Sequence, residues 1–183
     1  MQDIIETINS IKPKHSQSLI GIDGLGASGK TVFARKLADK LSNVSVVAID
    51  DFIKPLDQRT FEVNSDISSD YDWDRLQKEV FDSIIAGKQI KYQKFDWDKD
   101  KLDKWIEIPK DNIIIVEGVY STQPRFRNLY DYTIWISMSR DKRIENMINR
   151  EGRETADKWQ RHWMPKEDKY FETRPDKKVD KVV

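Results

Sequence analysis

The sequence predicts an α/β fold of three layers, with a central, mostly parallel sheet and helices on both of its faces. Three observations predict it. Strand-like and helix-like patterns alternate along the 183 residues. The apolar run Ser18–Asp23 leads into a glycine-rich loop and then into a helical pattern. Ile113–Val116 is the most apolar run of the chain, as a strand covered on both faces requires. A chain of this length buries one substantial core, so a single domain is expected over 1–183.

Taken in order, Met1–Ile11 mixes Asp3 and Glu6 with apolar residues and reads as a short amphipathic helix, not as a signal peptide. Ser18–Asp23 is the first strand. Val32, Phe33, Leu37 and Leu41 recur at helical spacing behind it. Val44–Ile49 is a second strand, ending at Asp50-Asp51, and residues 54–70 are polar and read as a loop. Trp73–Ala86 carries Leu76, Val80, Ile84 and Ile85 on one helical stripe and is closed by Gly87. Residues 89–108 alternate loosely and predict two short strands projecting from the main sheet. Ile113–Val116 and Tyr132–Ile136 are further strands. Residues 139–151 and 153–172 predict two charged helices, and Lys178–Val183 reads as the start of a last strand.

Gly24–Thr31 is a complete match to the phosphate-binding pattern G-x-x-x-x-G-K-[ST]. Its chemistry follows from its composition. Gly24, Gly26 and Gly29 let the backbone turn tightly, so that the N–H groups of Ala27, Ser28 and their neighbours point inward at a phosphate. Lys30 adds positive charge, Thr31 a hydroxyl for Mg²⁺, and the helix beginning near Val32 its positive end. In an open α/β sheet, ligands collect at the carboxyl ends of the strands. Asp50-Asp51 and Glu117 fall there too. Converging carboxylates beside a phosphate cradle suit phosphoryl transfer: Mg²⁺ takes oxygen ligands, so that Glu117 can hold the metal's water shell, and an acceptor hydroxyl needs a base, for which Asp50 and Asp51 are both candidates. Tyr71-Asp72-Trp73 and Phe95-Asp96-Trp97 offer flat faces and hydrogen-bond acceptors for a planar, hydroxylated ligand. Arg140, Arg143 and Arg150 lie near one helical face, and with Arg153 can close over phosphates as a lid. Trp159 and Trp163 read as packing, and neither His15 nor His162 is assigned a role.

Composition narrows the classes. The 32 basic and 32 acidic residues cancel and are interspersed, which gives no support for non-specific nucleic-acid or membrane binding. With no cysteine, thiolate metal sites and cysteine nucleophiles are excluded, and a reducing, cytoplasmic setting fits. No apolar run approaches membrane-spanning length. Nothing in the sequence indicates an oligomeric state.

On these residues the chain resembles the uridine kinase family and, more broadly, the group that holds phosphoribulokinase and bacterial pantothenate kinase. The resemblance runs from about residue 18 to the end. It is carried by Gly24–Thr31, Asp50-Asp51-Phe52, Tyr71–Trp73, Phe95–Trp97, Val116–Tyr120 and Arg143–Glu151. It implies a P-loop NTPase fold with a small substrate lobe (about 54–110) and an arginine lid (about 139–172). It implies ATP or GTP with Mg²⁺ as donor, and a small-molecule acceptor such as the 5′-OH of uridine or cytidine. Asp50 matches the catalytic base and Tyr71-Asp72 the ribose-binding pair. Phe95-Asp96-Trp97 matches the segment lining the nucleoside pocket, and Glu117 the acid after the central strand. Arg143 and Arg150 match lid arginines, with Arg153 a looser third. The chain departs from the pattern at Asp100, where the family has a base-contacting histidine, and at Asn146, where it has a second lid arginine. The acceptors pantothenate, a sugar phosphate or another riboside therefore stay open. So does a nucleotide-dependent switch, although no N-K-x-D segment appears.

Overall fold

A computed structural model describes residues 1–60 and 69–183. Among the described residues seven strands form in chain order: β1 (Leu19–Asp23), β2 (Val44–Ala48), β3 (Ile90–Asp96), β4 (Lys101–Ile108), β5 (Ile113–Glu117), β6 (Tyr132–Trp135) and β7 (Lys181–Val182). The helices are α1 (Gln2–Ser10), α2 (Lys30–Ala38), α3 (Trp73–Leu76), α4 (Asp82–Ile85), α5 (Pro124–Arg127), α6 (Arg140–Glu151), α7 (Arg153–His162) and α8 (Met164–Glu172). A π-helical turn, Gln77–Phe81, joins α3 to α4, and Gly87 (φ +65°) ends that run in the left-handed region.

The main sheet has the order β2-β5-β1-β6-β7, and every pairing in it is parallel. β3 and β4 form a separate antiparallel hairpin, as the loose alternation over 89–108 predicts. The period of two in the strands sorts their side chains between two layers. Ile20, Ile22, Ile115 and Ile134 face α1 and α2, where they meet Ile4, Ile5, Ile8, Ala34 and Leu37. Leu19, Ile114, Val116 and Trp135 face the other layer, with Leu76, Val80 and Phe81 of the α3–α4 run, Phe126 of α5 and Tyr170 of α8. A small third core, Met147, Ala156, Trp159 and Met164, holds α6, α7 and α8 together.

Three expectations change. The helical pattern over 153–172 is two helices, broken at Trp163. Pro165 has no N–H to continue the ladder of α7 and sits in the first turn of α8, where none is needed. In α2 the buried stripe is Lys30, Ala34 and Leu37, so Val32 lies on the solvent side at 56% exposure. The loop expected over 54–70 holds a short 3₁₀ turn, Leu56–Gln58; its stretch 61–68 lies outside the described residues. Among the described residues, no helix is long and apolar enough to cross a membrane.

Candidate active site

Register brings the carboxyl ends of three strands together. Glu117, the last residue of β5, is level with Ile22 of β1 on one side and with Ala48 of β2 on the other. The phosphate loop leaves β1 one residue after Ile22, and Asp50 follows Ala48 in a 3₁₀ turn, Ile49–Phe52. Residues far apart in sequence thus meet at one edge of the sheet.

The phosphate loop is shaped by its backbone. Gly29 is left-handed (φ +93°) at the start of α2, a conformation that strains any residue with a Cβ. Ala27 also takes a positive φ of 59°, and its carbonyl accepts from Asn146 Nδ2 at 3.0 Å. Asn146, the residue standing where a lid arginine was expected, therefore ties α6 to the loop. Lys30 is 7% exposed and donates from Nζ to the Leu25 carbonyl at 2.9 Å. Ser28 is buried, with its hydroxyl lacking a partner among the described residues. Thr31 Oγ1 donates to Glu117 Oε1 at 3.0 Å. Burial pushes the Glu117 carboxyl above its ordinary range, opposed by the charge of Lys30.

Asp50 and Asp51, equivalent candidates in the sequence, part company here. Asp50 is exposed, and the Tyr71 hydroxyl donates to its Oδ1 at 3.4 Å. Asp51 is 5% exposed and turns to the hairpin, accepting from the Tyr92 hydroxyl at 3.0 Å and pairing with Lys94 at 3.3 Å. Burial pushes its carboxyl up. Tyr71 is buried beside Trp73 (ring centroids 5.0 Å apart), and its phenol is pushed well above its ordinary value by burial and by Asp50.

Asp50 and Tyr71 line a cavity of about 180 Å³ with Gly26, Trp97, Val119, Met147, Trp159, Trp163 and Glu167. Of the residues expected to bind an acceptor, Asp50, Tyr71 and Trp97 are in its wall. Asp72, Phe95, Asp96 and Glu117 are not. Asp72 caps α3, accepting from the Arg75 N–H at 3.0 Å. Phe95 is buried in the core at 1% exposure. Asp96 caps the hairpin turn, accepting from the N–H groups of Lys99 (2.9 Å) and Asp98 (3.0 Å); the Lys99 N–H and its ammonium, 3.1 Å away, hold the carboxyl below the usual range. Asp100 is left-handed (φ +49°) and accepts from Leu56 N–H and Arg59 Nη2, away from the cavity wall.

The arginines divide as well. Arg143 is 2% exposed and pairs through Nη1 with Glu167 Oε2 at 3.0 Å. Arg140 pairs with Asp168 at the surface, and Arg150 pairs with its neighbour Glu151. Arg153 opens α7 and is exposed. Arg140 and Arg143 both line a cavity with Leu25 and Ser28 of the loop, and of the four only Arg143 is buried.

Sequence reasoning missed Glu167. Its Oε2 accepts from the Gly26 N–H at 2.7 Å, and its Oε1 from Trp159 Nε1 at 2.9 Å. A Cβ on Gly26 would stand 2.5 Å from Oε1, so the lid carboxylate reaches the loop because position 26 has no side chain. Nothing in the sequence distinguishes Glu167 from the other acids of the chain. Trp159 and Trp163 had a signal in their i, i+4 spacing, and they line the cavity as well as packing.

The fit to a nucleotide and Mg²⁺ rests on this loop. Its buried Ser28 hydroxyl and the nearby cation of Lys30 suit phosphate oxygens. Among the described residues no three His, Cys, Asp or Glu side chains cluster as a metal cage. Thr31 and Glu117 instead form a two-oxygen set, which suits Mg²⁺ that keeps most of its shell as water and phosphate.

Comparison with known proteins agrees with this architecture. A model of the Phosphoribulokinase / Uridine kinase family matches residues 19–161. A uridine kinase of Halobacterium salinarum is 28% identical over 140 residues, covering 72% of this chain and 61% of that protein. A uridine-cytidine kinase C of Dictyostelium discoideum is 27% identical over 158 residues, covering 82% of this chain and 35% of the other. The chain thus spans less than two thirds of the length of these relatives. A solved structure from Bacillus stearothermophilus, described as a possible uridine kinase, superposes with a TM-score of 0.76 at 26% identity, covering 100% of this chain and 96% of the other.

Proposed function

This chain belongs to the phosphoribulokinase / uridine kinase family, and on that premise we propose that it transfers the γ-phosphoryl group of ATP or GTP to a hydroxyl of a small molecule, with the 5′-OH of a nucleoside such as uridine as the leading acceptor. The observation that carries the reading is that Asp50 and the phosphate loop, through Gly26, border one cavity.

Asp50 takes the proton of the acceptor hydroxyl, and Tyr71 orients its carboxylate. The loop N–H groups and Lys30 hold the donor's phosphates, and Arg143, paired with Glu167, holds the lid carboxylate against the loop. Thr31 and Glu117 would hold Mg²⁺, which supplies charge neutralisation on the phosphates when bound. The indoles of Trp159 and Trp163, with Met147, add an apolar wall to the cavity beside Asp50. Arg150 and Arg153, on the exposed side, have the weaker case for a role in transfer.

A specific observation favours a second reading of the acceptor. Asp100 is engaged by Leu56 and Arg59, so the position that the resemblance gives to base contact faces elsewhere. Another riboside, pantothenate or a sugar phosphate are the alternatives. Labelled ATP and GTP, tested with uridine, cytidine, D-ribose, pantothenate and ribose 5-phosphate, decide among them. Acceptor-dependent release of ADP or GDP is expected. Nucleotide binding without acceptor-dependent turnover would leave a switch or binding module instead.

A further inference from the structure

We propose that Glu167, and not Asp72, is the second carboxylate of the acceptor site, and that the acceptor is a polyol presenting one hydroxyl to Asp50 and another to Glu167. The inference rests on the kinase reading above and names the substrate class and a specificity residue for it.

Glu167 lines the same cavity as Asp50 and is 4% exposed. An ionised carboxylate has about four acceptor positions. Three are filled, each by a different element: the Gly26 N–H of the phosphate loop, Arg143 of α6 and Trp159 of α7. These contacts fix the carboxylate in the wall and leave one acceptor position for a ligand. A group that can only accept from its ligand selects a donor, so a hydroxyl suits this end of the cavity and a phosphate or carboxylate does not.

Asp72 is placed for other work. One of its oxygens holds the first turn of α3 through Arg75 N–H, its side chain is 44% exposed, and it is absent from the cavity wall. The remaining wall is indole: Trp97, Trp159 and Trp163. Flat aromatic faces beside two carboxylates suit a ring with apolar C–H faces and hydroxyl edges, which describes a sugar ring.

The test compares wild type, E167Q, E167D and D72N by steady-state kinetics with labelled ATP. The best acceptor from the panel above is used together with its analogues that lack one hydroxyl; for uridine these are the 2′-deoxy and 3′-deoxy forms. Wild type is expected to lose at least tenfold in kcat/KM on one deoxy analogue. E167Q is expected to lose a similar factor on the parent acceptor and little more on that analogue, with its Kd for ATP, read by calorimetry, within threefold of wild type. E167D, which withdraws the carboxylate by one methylene, should fall between them, and D72N should discriminate as wild type does. A merely structural Glu167 would penalise parent and analogue alike and leave the discrimination intact, which overturns the proposal. Loss of discrimination in D72N with retention in E167Q overturns it too, as does a wild type indifferent to every deoxy analogue, a result that needs no variant. No turnover of any acceptor defeats the kinase reading as well, whereas turnover whose discrimination E167Q leaves untouched defeats this inference alone.

Discussion

The hydroxyl of Tyr71 donates to Oδ1 of Asp50 across 3.4 Å, in the wall of a cavity that also touches the phosphate loop. The next residue, Asp51, is held by Tyr92 and Lys94 in the hairpin. One step along the backbone therefore separates a group free to meet a substrate from a structural one. Asp50→Asn should lower kcat by about 10²–10⁴-fold, the usual worth of a positioned base, with the Kd for nucleotide within twofold by calorimetry. Asp51→Ala should leave the buried Tyr92 hydroxyl without its acceptor and cost about 1–3 kcal/mol in urea unfolding. Wild-type turnover in Asp50→Asn would remove Asp50 from the mechanism.

The arginines of the lid should behave oppositely. Arg143 and Glu167 form an ion pair with side chains 2% and 5% exposed. Arg143→Ala leaves a buried carboxylate unpaired and should cost about 3–5 kcal/mol. Arg150 pairs with Glu151 at the surface, with side chains 61% and 46% exposed. Arg150→Ala should change stability by less than about 0.5 kcal/mol and turnover by less than threefold. Denaturant midpoints and initial rates on the same preparations check both.

Glu117 and Thr31 lie 86 residues apart in sequence and 3.0 Å apart in space. Glu117→Gln keeps an oxygen for Thr31 but loses the charge that favours a divalent cation. The Mg²⁺ concentration for half-maximal activity should rise at least tenfold, while nucleotide binding measured in EDTA stays within threefold. An unchanged Mg²⁺ titration would show that Glu117 serves the fold alone.

Asp23, at the end of β1, is fully buried and accepts from Gly24 N–H (2.7 Å), Tyr120 N–H (3.1 Å), Thr122 N–H (2.9 Å) and hydroxyl (2.8 Å), and the Tyr170 hydroxyl (2.6 Å). Burial pushes its carboxyl above the ordinary range, partly offset by these donors. The folded chain then binds this proton at a higher pH than the unfolded chain does. Between the unfolded value of about 3.9 and the raised folded value, the folded state holds more protons, so this group's contribution to stability falls as pH rises through that window. Asp23→Asn has no such group and should lack that fall. Urea midpoints for both proteins from pH 4 to 8 check it; a difference between them that is constant with pH would contradict the assignment.

Local signals made much of this molecule legible. The phosphate loop was readable because its function demands particular residues at adjacent positions: Gly29 for a left-handed turn, Lys30 and Thr31 for their groups. The strands were readable because burial on both faces demands aliphatic runs, as at Ile113–Val116. The break at Trp163 was less plain, because Pro165 is tolerated within the first turn of a helix and so sits inside an unbroken helical pattern.

By itself the sequence determined the α/β class, the phosphate loop, the hairpin and the family. Each of these depends on short-range spacing and on the period of apolar residues. The tertiary structure decided which acid faces the cavity, why Asp72 and Asp96 cap turns, and which arginine is buried. It also decided that Glu167 closes the lid on Gly26. The physical reason is that these assignments depend on side-chain direction and on contacts between segments up to 141 residues apart. Asp50 and Asp51 are chemically identical neighbours, and only the packing of Tyr71 and Tyr92 around them gives each its surroundings.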